Sequence, residues 1–222
     1  MRNIKKEYKK YVVLYFIIYI VVNLTIVIMK YNLINVQTIS VLKENQYIIK
    51  PIYTIISLPV LSILGLVILN FMPSNIKEII IFRKLNNVLP SYRWQKYIAD
   101  KDNRINVKLL NKKYGKNLSE QKQHDLWYKA YQRCKSDEVI LESQKEYLFS
   151  RDLCMTTVLI IPIIVIIYIL GKVCLNLEIY FLIINIIILL LLYIILDIVS
   201  INSANRFICN VLLLDSSLEN KK

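Results

Sequence analysis

LCMTTVLIIPIIVIIYILG (153–171) and IYFLIINIIILLLLYIIL (179–196) decide the fold. Asp152 and Lys172 bracket 19 uncharged residues, and Glu178 and Asp197 bracket 18. A hydrocarbon core about 30 Å thick takes roughly 17–25 apolar residues as helix. Each run therefore predicts a span, and the seven residues from Lys172 to Glu178 predict a tight antiparallel hairpin.

The pattern recurs nearer the N-terminus, where Lys10 and Lys30 bracket 19 uncharged residues and Lys50 and Lys77 bracket 26. Spans are expected at 11–29, 51–72, 153–171 and 179–199. The predicted fold is an all-α integral membrane protein, with four transmembrane helices as two hairpins and a helical insert between them. The divisions are an N-terminal hairpin (1–72), a basic helical cytoplasmic domain (73–152), a C-terminal hairpin (153–200) and a cytoplasmic tail (201–222). A soluble domain would not carry four such runs, and it would hold more than three glycines. The first run is too long for a signal-peptide core, and Lys30, Tyr31, Asn32 and Leu33 lack a small-x-small cleavage site, so it reads as a retained helix.

Basic residues set the orientation. Residues 1–10, 73–152 and 201–222 hold 25 of the 29 Lys and Arg, leaving four for the opposite side. This predicts a multi-pass protein with both termini in the cytoplasm, and the Ile, Asn, Lys and Tyr bias suggests a bacterial inner membrane. The insert carries 17 basic against 10 acidic residues. Attraction to anionic headgroups accounts for that excess simply. Binding of nucleic acid or a phosphorylated messenger is the sharper alternative, with Arg83, Lys84, Arg93, Lys96 and Arg104 as the candidate residues for a phosphate-rich ligand. Duplex nucleic acid is not expected as a partner.

Within the insert, Pro73 ends the second span and residues 76–88 continue as an amphipathic helix. Pro90 starts a turn carrying Trp94 and Tyr97. A short helix over 105–114 closes on Gly115. Asn117 and Glu120 have capping-box spacing before a helix bearing Trp127 and Tyr131. From Ser136 and Asp137 one helix runs through Tyr147 and Arg151 into the third span. Trp94, Tyr97, Trp127 and Tyr131 are the expected insert core.

No catalytic constellation is present. His124 and Asp125 are helix neighbours about 100° apart, and His124 reads as solvated. Asp100, Asp102 and Arg104 lack the Gly and distal Glu of a calcium loop. Cys134, Cys154, Cys174 and Cys209 have no ligand spacing, and one His makes zinc improbable. No metal, cofactor or enzymatic activity is expected. Among intramembrane polar features, Asp197 sits at the end of the fourth span, Asn23, Asn185, Ser62 and Gly65 offer helix–helix contacts, and Pro59 and Pro162 bend their helices.

VLPSYRWQKYIADKDNRINVKLLNKKYG (88–115) and HDLWYKAYQRCKSDEVILESQKEYLFSRDL (124–153) resemble the cytoplasmic segment of bacterial four-span proteins similar to membrane effectors of antiphage systems. Such effectors pair with nucleotide second-messenger synthases or with retrons. The resemblance implies a regulated, non-enzymatic effector: the insert senses a signal or a neighbouring sensor protein, and the spans oligomerise in the bilayer and permeabilise or perturb it. A small transporter, channel or transporter accessory subunit, resting on Asp197 and Pro162, is the competing expectation.

Overall fold

The computed structural model describes residues 4–30, 67, 71–96, 102–175 and 178–219. Most of those residues are helical, with no strand among them. In chain order they form α1 (Ile4–Lys30), α2 (Ser74–Phe82), a 3-10 turn (Pro90–Arg93), α3 (Val107–Tyr114), α4 (Glu120–Cys134), α5 (Glu138–Leu175) and α6 (Ile179–Glu219). Most of the expected second span lies outside the described residues, as do Pro59, Ser62, Gly65 and Tyr97.

Two stretches of helix among the described residues, Glu138–Ile169 and Ile179–Ser217, are long and apolar enough to cross a membrane. On α6, Ile184, Ile187, Leu191 and Ile195 are 52–58% exposed. An apolar surface of that extent is stable only when something other than water covers it.

The chain divides into two compact units. One comprises 9–72 and 153–195. Its core joins Phe16 and Ile20 of α1, Ile160, Ile163, Ile164 and Ile167 of α5, and Leu189 of α6. Several polar groups there pair between or within helices, while Asn23 Oδ1 and the Tyr168 hydroxyl are buried without a hydrogen-bond partner. The Tyr19 hydroxyl donates to Asn185 Oδ1 (3.1 Å), and Tyr15 and Thr157 share a bond at 3.0 Å. Asn185 thus makes an interhelical contact, whereas Asn23 donates back to the Tyr19 carbonyl of its own helix. Pro162 lies inside α5 on an exposed position.

The other unit is built from Met1–Tyr8, Pro73–Asp152 and Leu196–Lys222. The insert therefore does not fold from its own residues alone, and the expected C-terminal tail is not one. Helix α6 continues to Glu219, and its Ala204, Phe207, Ile208, Val211 and Leu212 join Trp94, Leu110, Trp127, Ala130 and Ile140 in one core. These five recur at i, i+3, i+4, i+7 and i+8, one face of a helix.

Local rules explain the short elements. Pro73 precedes α2, and Arg83 ends it in the left-handed region (φ 51°). Pro90 opens the 3-10 turn, where its missing N–H costs nothing. Asn106 caps α3 by accepting from the amides of Lys108 and Leu109, and Gly115 follows it at φ 94°, which L side chains rarely adopt. The cap of α4 is Ser119, whose hydroxyl accepts from the Lys122 amide, rather than Asn117, which takes up a positive φ in the preceding loop. Helix α5 runs unbroken, as its sequence predicts.

Asp215 ties α6 to α3 and α4. Arg133 meets it with Nε at 2.6 Å and Nη2 at 2.8 Å, Lys113 Nζ lies 2.6 Å from Oδ2, and the Tyr114 hydroxyl donates to the same oxygen. Burial alone would raise the Asp215 carboxyl, but these donors outweigh it and hold it well below the usual carboxylate range. A carboxyl depressed on folding stabilises the fold fully above its unfolded value of about 3.9, and that contribution declines below this value and is lost as pH falls through the depressed value of the folded state. We therefore expect Asp215→Asn to cost on the order of 1–3 kcal/mol at pH 7, since half of Arg133 stays in water. The gap between the melting curves of variant and parent should start to narrow as pH falls below about 4 and close only as it falls through the depressed value of the folded carboxyl; a gap of constant size from pH 7 down through that range would refute the assignment.

Candidate functional site

A cleft of about 180 Å³ opens within the unit that contains the insert. Its walls come from five elements: Glu78 of α2; Leu89, Pro90 and Ser91 at the 3-10 turn; Trp127 of α4; Gln144, Tyr147, Leu148 and Arg151 of α5; and Ala204, Phe207 and Ile208 of α6. On α5 the lining residues fall at i, i+3, i+4 and i+7, so one helical face forms that wall.

Aromatic rings build the side at α4. Tyr92 stacks on His124 at 4.2 Å and 7°, and Trp127 stacks on Tyr131 at 5.7 Å and 10°. Phe207 meets both Trp127 (5.6 Å) and Tyr131 (5.8 Å) edge-on and lies parallel to Tyr147 at 6.5 Å. Edge-to-face pairs place the positive ring edge on a negative face. Trp127 and Trp94 share one core, yet the rings against Trp127 belong to α4 and α6, whereas Trp94 packs on Tyr114 (5.6 Å). The Trp94 indole N–H donates to the Gln123 carbonyl at 2.8 Å.

Charge at the cleft is balanced by a second network. Arg151, with 5% of its side chain exposed, pairs with Asp152 (3.2 Å) and Glu78 (3.4 Å). Lys77 Nζ (3.1 Å) and the Tyr8 hydroxyl (3.2 Å) also reach Asp152. Burial pushes the Glu78 carboxyl up, against the pull of Arg151. Two wall residues carry buried polar atoms without a hydrogen-bond partner, the Trp127 indole N–H and the Tyr147 hydroxyl. Arg151 lies over the Tyr147 ring at 5.8 Å, and no guanidinium nitrogen makes a hydrogen bond of good geometry with the phenol. Burial raises the Tyr147 phenol far above its ordinary value, so it keeps its proton.

The five cations expected to hold a phosphate sit in different surroundings. Arg83 binds the buried Asp197 at 2.7 Å, and Arg104 grips Asp102 through two nitrogens at 2.9 and 2.6 Å. Arg93 donates to the Val88 carbonyl, while its Nε and Nη1 are buried without a partner. Lys84 and Lys96 are exposed. None of the five lines the cleft. His124 is half-buried rather than solvated. Its Nδ1 lies 2.8 Å from Ser91 Oγ, and burial lowers its pKa against the opposing charge of Asp125. That spacing suits a nucleophile and base, but Ser91 is fully buried and no carboxylate orients the ring among the described residues. Among those residues no His, Cys, Asp and Glu cluster suits a metal.

Sequence reading missed Phe207, Ile208 and Asp215, although their helical spacing with Ala204, Val211 and Leu212 is a detectable signal. The contrast between two neighbours on α4 tests the assignment. Trp127→Ala should cost about 3–5 kcal/mol, and Tyr128→Ala, at a half-exposed position, should cost under about 1 kcal/mol. Thermal melts of the two variants would contradict this packing if they matched.

Comparison of the chain with protein-family models, with curated proteins and with solved structures finds no match in any of the three.

Proposed function

We propose that this chain is a four-span protein of a bacterial inner membrane, with both termini and the insert in the cytoplasm. In this reading it is a non-enzymatic effector of antiphage defence. A signal or a neighbouring sensor protein acts on the cytoplasmic unit, and copies of the chain then permeabilise or perturb the bilayer. One observation carries the reading: the cleft is walled by α5 and α6, the same two helices whose apolar stretches are long enough to cross a membrane. An occupant that changes the packing of Tyr147 and Arg151 against Phe207 and Ile208 biases the two helices directly, and a ligand shifts an equilibrium only through such differential contact.

Two supports for a transporter weaken. Asp197 is held by Arg83, which gives it a structural partner, and Pro162 lies on an exposed position of an unbroken helix. A small transporter, channel or accessory subunit remains the competing reading.

Orientation is tested at an exposed position, because the thiols of Cys134, Cys154 and Cys209 are buried and would resist labelling on either side. A cysteine introduced by Ser136→Cys should react with an impermeant maleimide only after spheroplasts are permeabilised. Reaction in intact spheroplasts would reverse the topology.

For activity, the chain is expressed alone and with its genomic neighbour while membrane potential and plating are followed during phage infection. Depolarisation that depends on infection or on the neighbour is the expected result. Unchanged potential and plating in every combination would remove the effector reading and favour the transporter.

A further inference from the structure

We infer that the outer face of α2 and the turn after it form a membrane-surface site. Ile76, Ile79, Ile80 and Leu85 enter the boundary between headgroups and acyl chains, and Lys84 meets the phosphates of anionic lipid. Three observations carry this.

The first is that α2 wears its apolar residues outward. Ile76, Ile79, Ile80 and Arg83 fall at i, i+3, i+4 and i+7 and share one face. Ile76 is 44% exposed, Ile79 and Ile80 are partly exposed, and Arg83 is exposed. Lys77 and Ile81 turn the other way and are buried, with Lys77 Nζ 3.1 Å from Asp152. A helix facing water exposes its lysine and buries its isoleucines. The reverse arrangement fits an outer medium that is itself apolar.

The second is the turn over 83–87. Leu85 is 82% exposed, yet the turn is fastened at both ends. Arg83 binds Asp197 at 2.7 Å, and Asn87 donates to Glu120 Oε2 at 2.8 Å. Both residues take positive φ, at 51° and 49°. A lone exposed leucine needs no explanation. This one extends the outward isoleucine face of α2, and the exposed Lys84 stands next to it.

The third is level. Asp197 directly follows the apolar run 179–196, so its bond to Arg83 sets the turn beside the end of that run. At 1.5 Å per residue the run is about 27 Å long, close to the hydrocarbon thickness of a bilayer. Past Asp197, Ile198 and Val199 remain 53% and 43% exposed. The turn therefore lies where headgroups begin, and a cation there is attracted to an anionic leaflet. A second copy of the chain fits less well, because a two-fold contact through so small a face brings Lys84 toward its own counterpart.

The inference rests on the reading that α6 crosses a membrane, and not on the effector role.

The test reconstitutes the full chain in vesicles of phosphatidylcholine, alone or mixed with phosphatidylglycerol. Nitroxide labels are attached to Ile76→Cys, Leu85→Cys, Ile187→Cys and Ser136→Cys in a Cys174→Ser background, the other three thiols being buried. Position 187 is the reference for lipid, and position 136, just before α5, is the reference for water. Saturation measurements with oxygen and a nickel chelate read depth. Labels at 76 and 85 should lie about 5–10 Å into the headgroup–acyl boundary, with several-fold lower nickel accessibility than at 136. The label at 85 should move deeper when phosphatidylglycerol is present, and Lys84→Gln, at an exposed position, should abolish that shift. If 187 lies in lipid while 76 and 85 match 136, the surface site is refuted and the membrane reading stands. If 187 also matches 136, both fall. A depth at 85 that ignores phosphatidylglycerol, or a shift that survives Lys84→Gln, would overturn the anionic-lipid assignment. Spin–spin broadening at 85 that vanishes on dilution with unlabelled chain would put a second copy on this face and overturn it too.

Discussion

Phe207 on α6, set edge-on against both Trp127 and Tyr131 of α4 and parallel to Tyr147 of α5, is the contact on which the insert's unit depends. Trp127 and Tyr131 have no other ring partner from outside α4 among the described residues. An insert of 80 residues between two apolar runs is near the lower limit for an independent core. Burying the 204–212 face supplies the missing apolar area, at about 25 cal/mol per Å² of surface removed from water.

Polar networks fix what the apolar contacts leave loose. Hydrophobic burial is non-directional, so a stripe of Ile, Leu and Val could slide by a turn. Asp215 prevents that for the end of α6, because the planar guanidinium of Arg133 accepts only one register of its two oxygens. Asp152 plays the same part for α5, gathering Arg151, Lys77 and Tyr8 from three helices. Buried ion pairs add little net stability against apolar substitutes, and fixing register is their best-attested use.

Much of the helical skeleton was legible in the sequence. The uncharged runs 153–171 and 179–196 fall inside α5 and α6, Pro90 and Gly115 mark the boundaries their backbone chemistry predicts, and α5 continues from the insert into the third run. The capping residue of α4 was misplaced by two positions because Asn117 and Ser119 are both competent caps, and only the backbone geometry separates them. The role of residues 201–222 was hidden by Asp197, Ser200, Asn202 and Ser203, which look like a membrane boundary followed by a solvated tail. The helix instead continues through them: Ser200 Oγ donates to the Leu196 carbonyl and Asp197 pairs with Arg83 at the end of α2. The cleft was beyond sequence reasoning altogether. It needs Glu78, Ser91, Trp127, Tyr147 and Phe207 in one place, and no local pattern brings together residues so far apart in the chain.

A core that borrows residues 204–212 cannot close in the order in which the chain is made. Residues 153–212, 60 in all, must still be synthesised after the insert is complete, which at 5–20 residues per second takes about 3–12 s. For that interval Trp127 and Tyr131 have no Phe207 to pack against, and the apolar runs on α5 and α6 emerge before the unit they complete. Closure of this core thus waits for the last turns of α6, which are its final piece to be made.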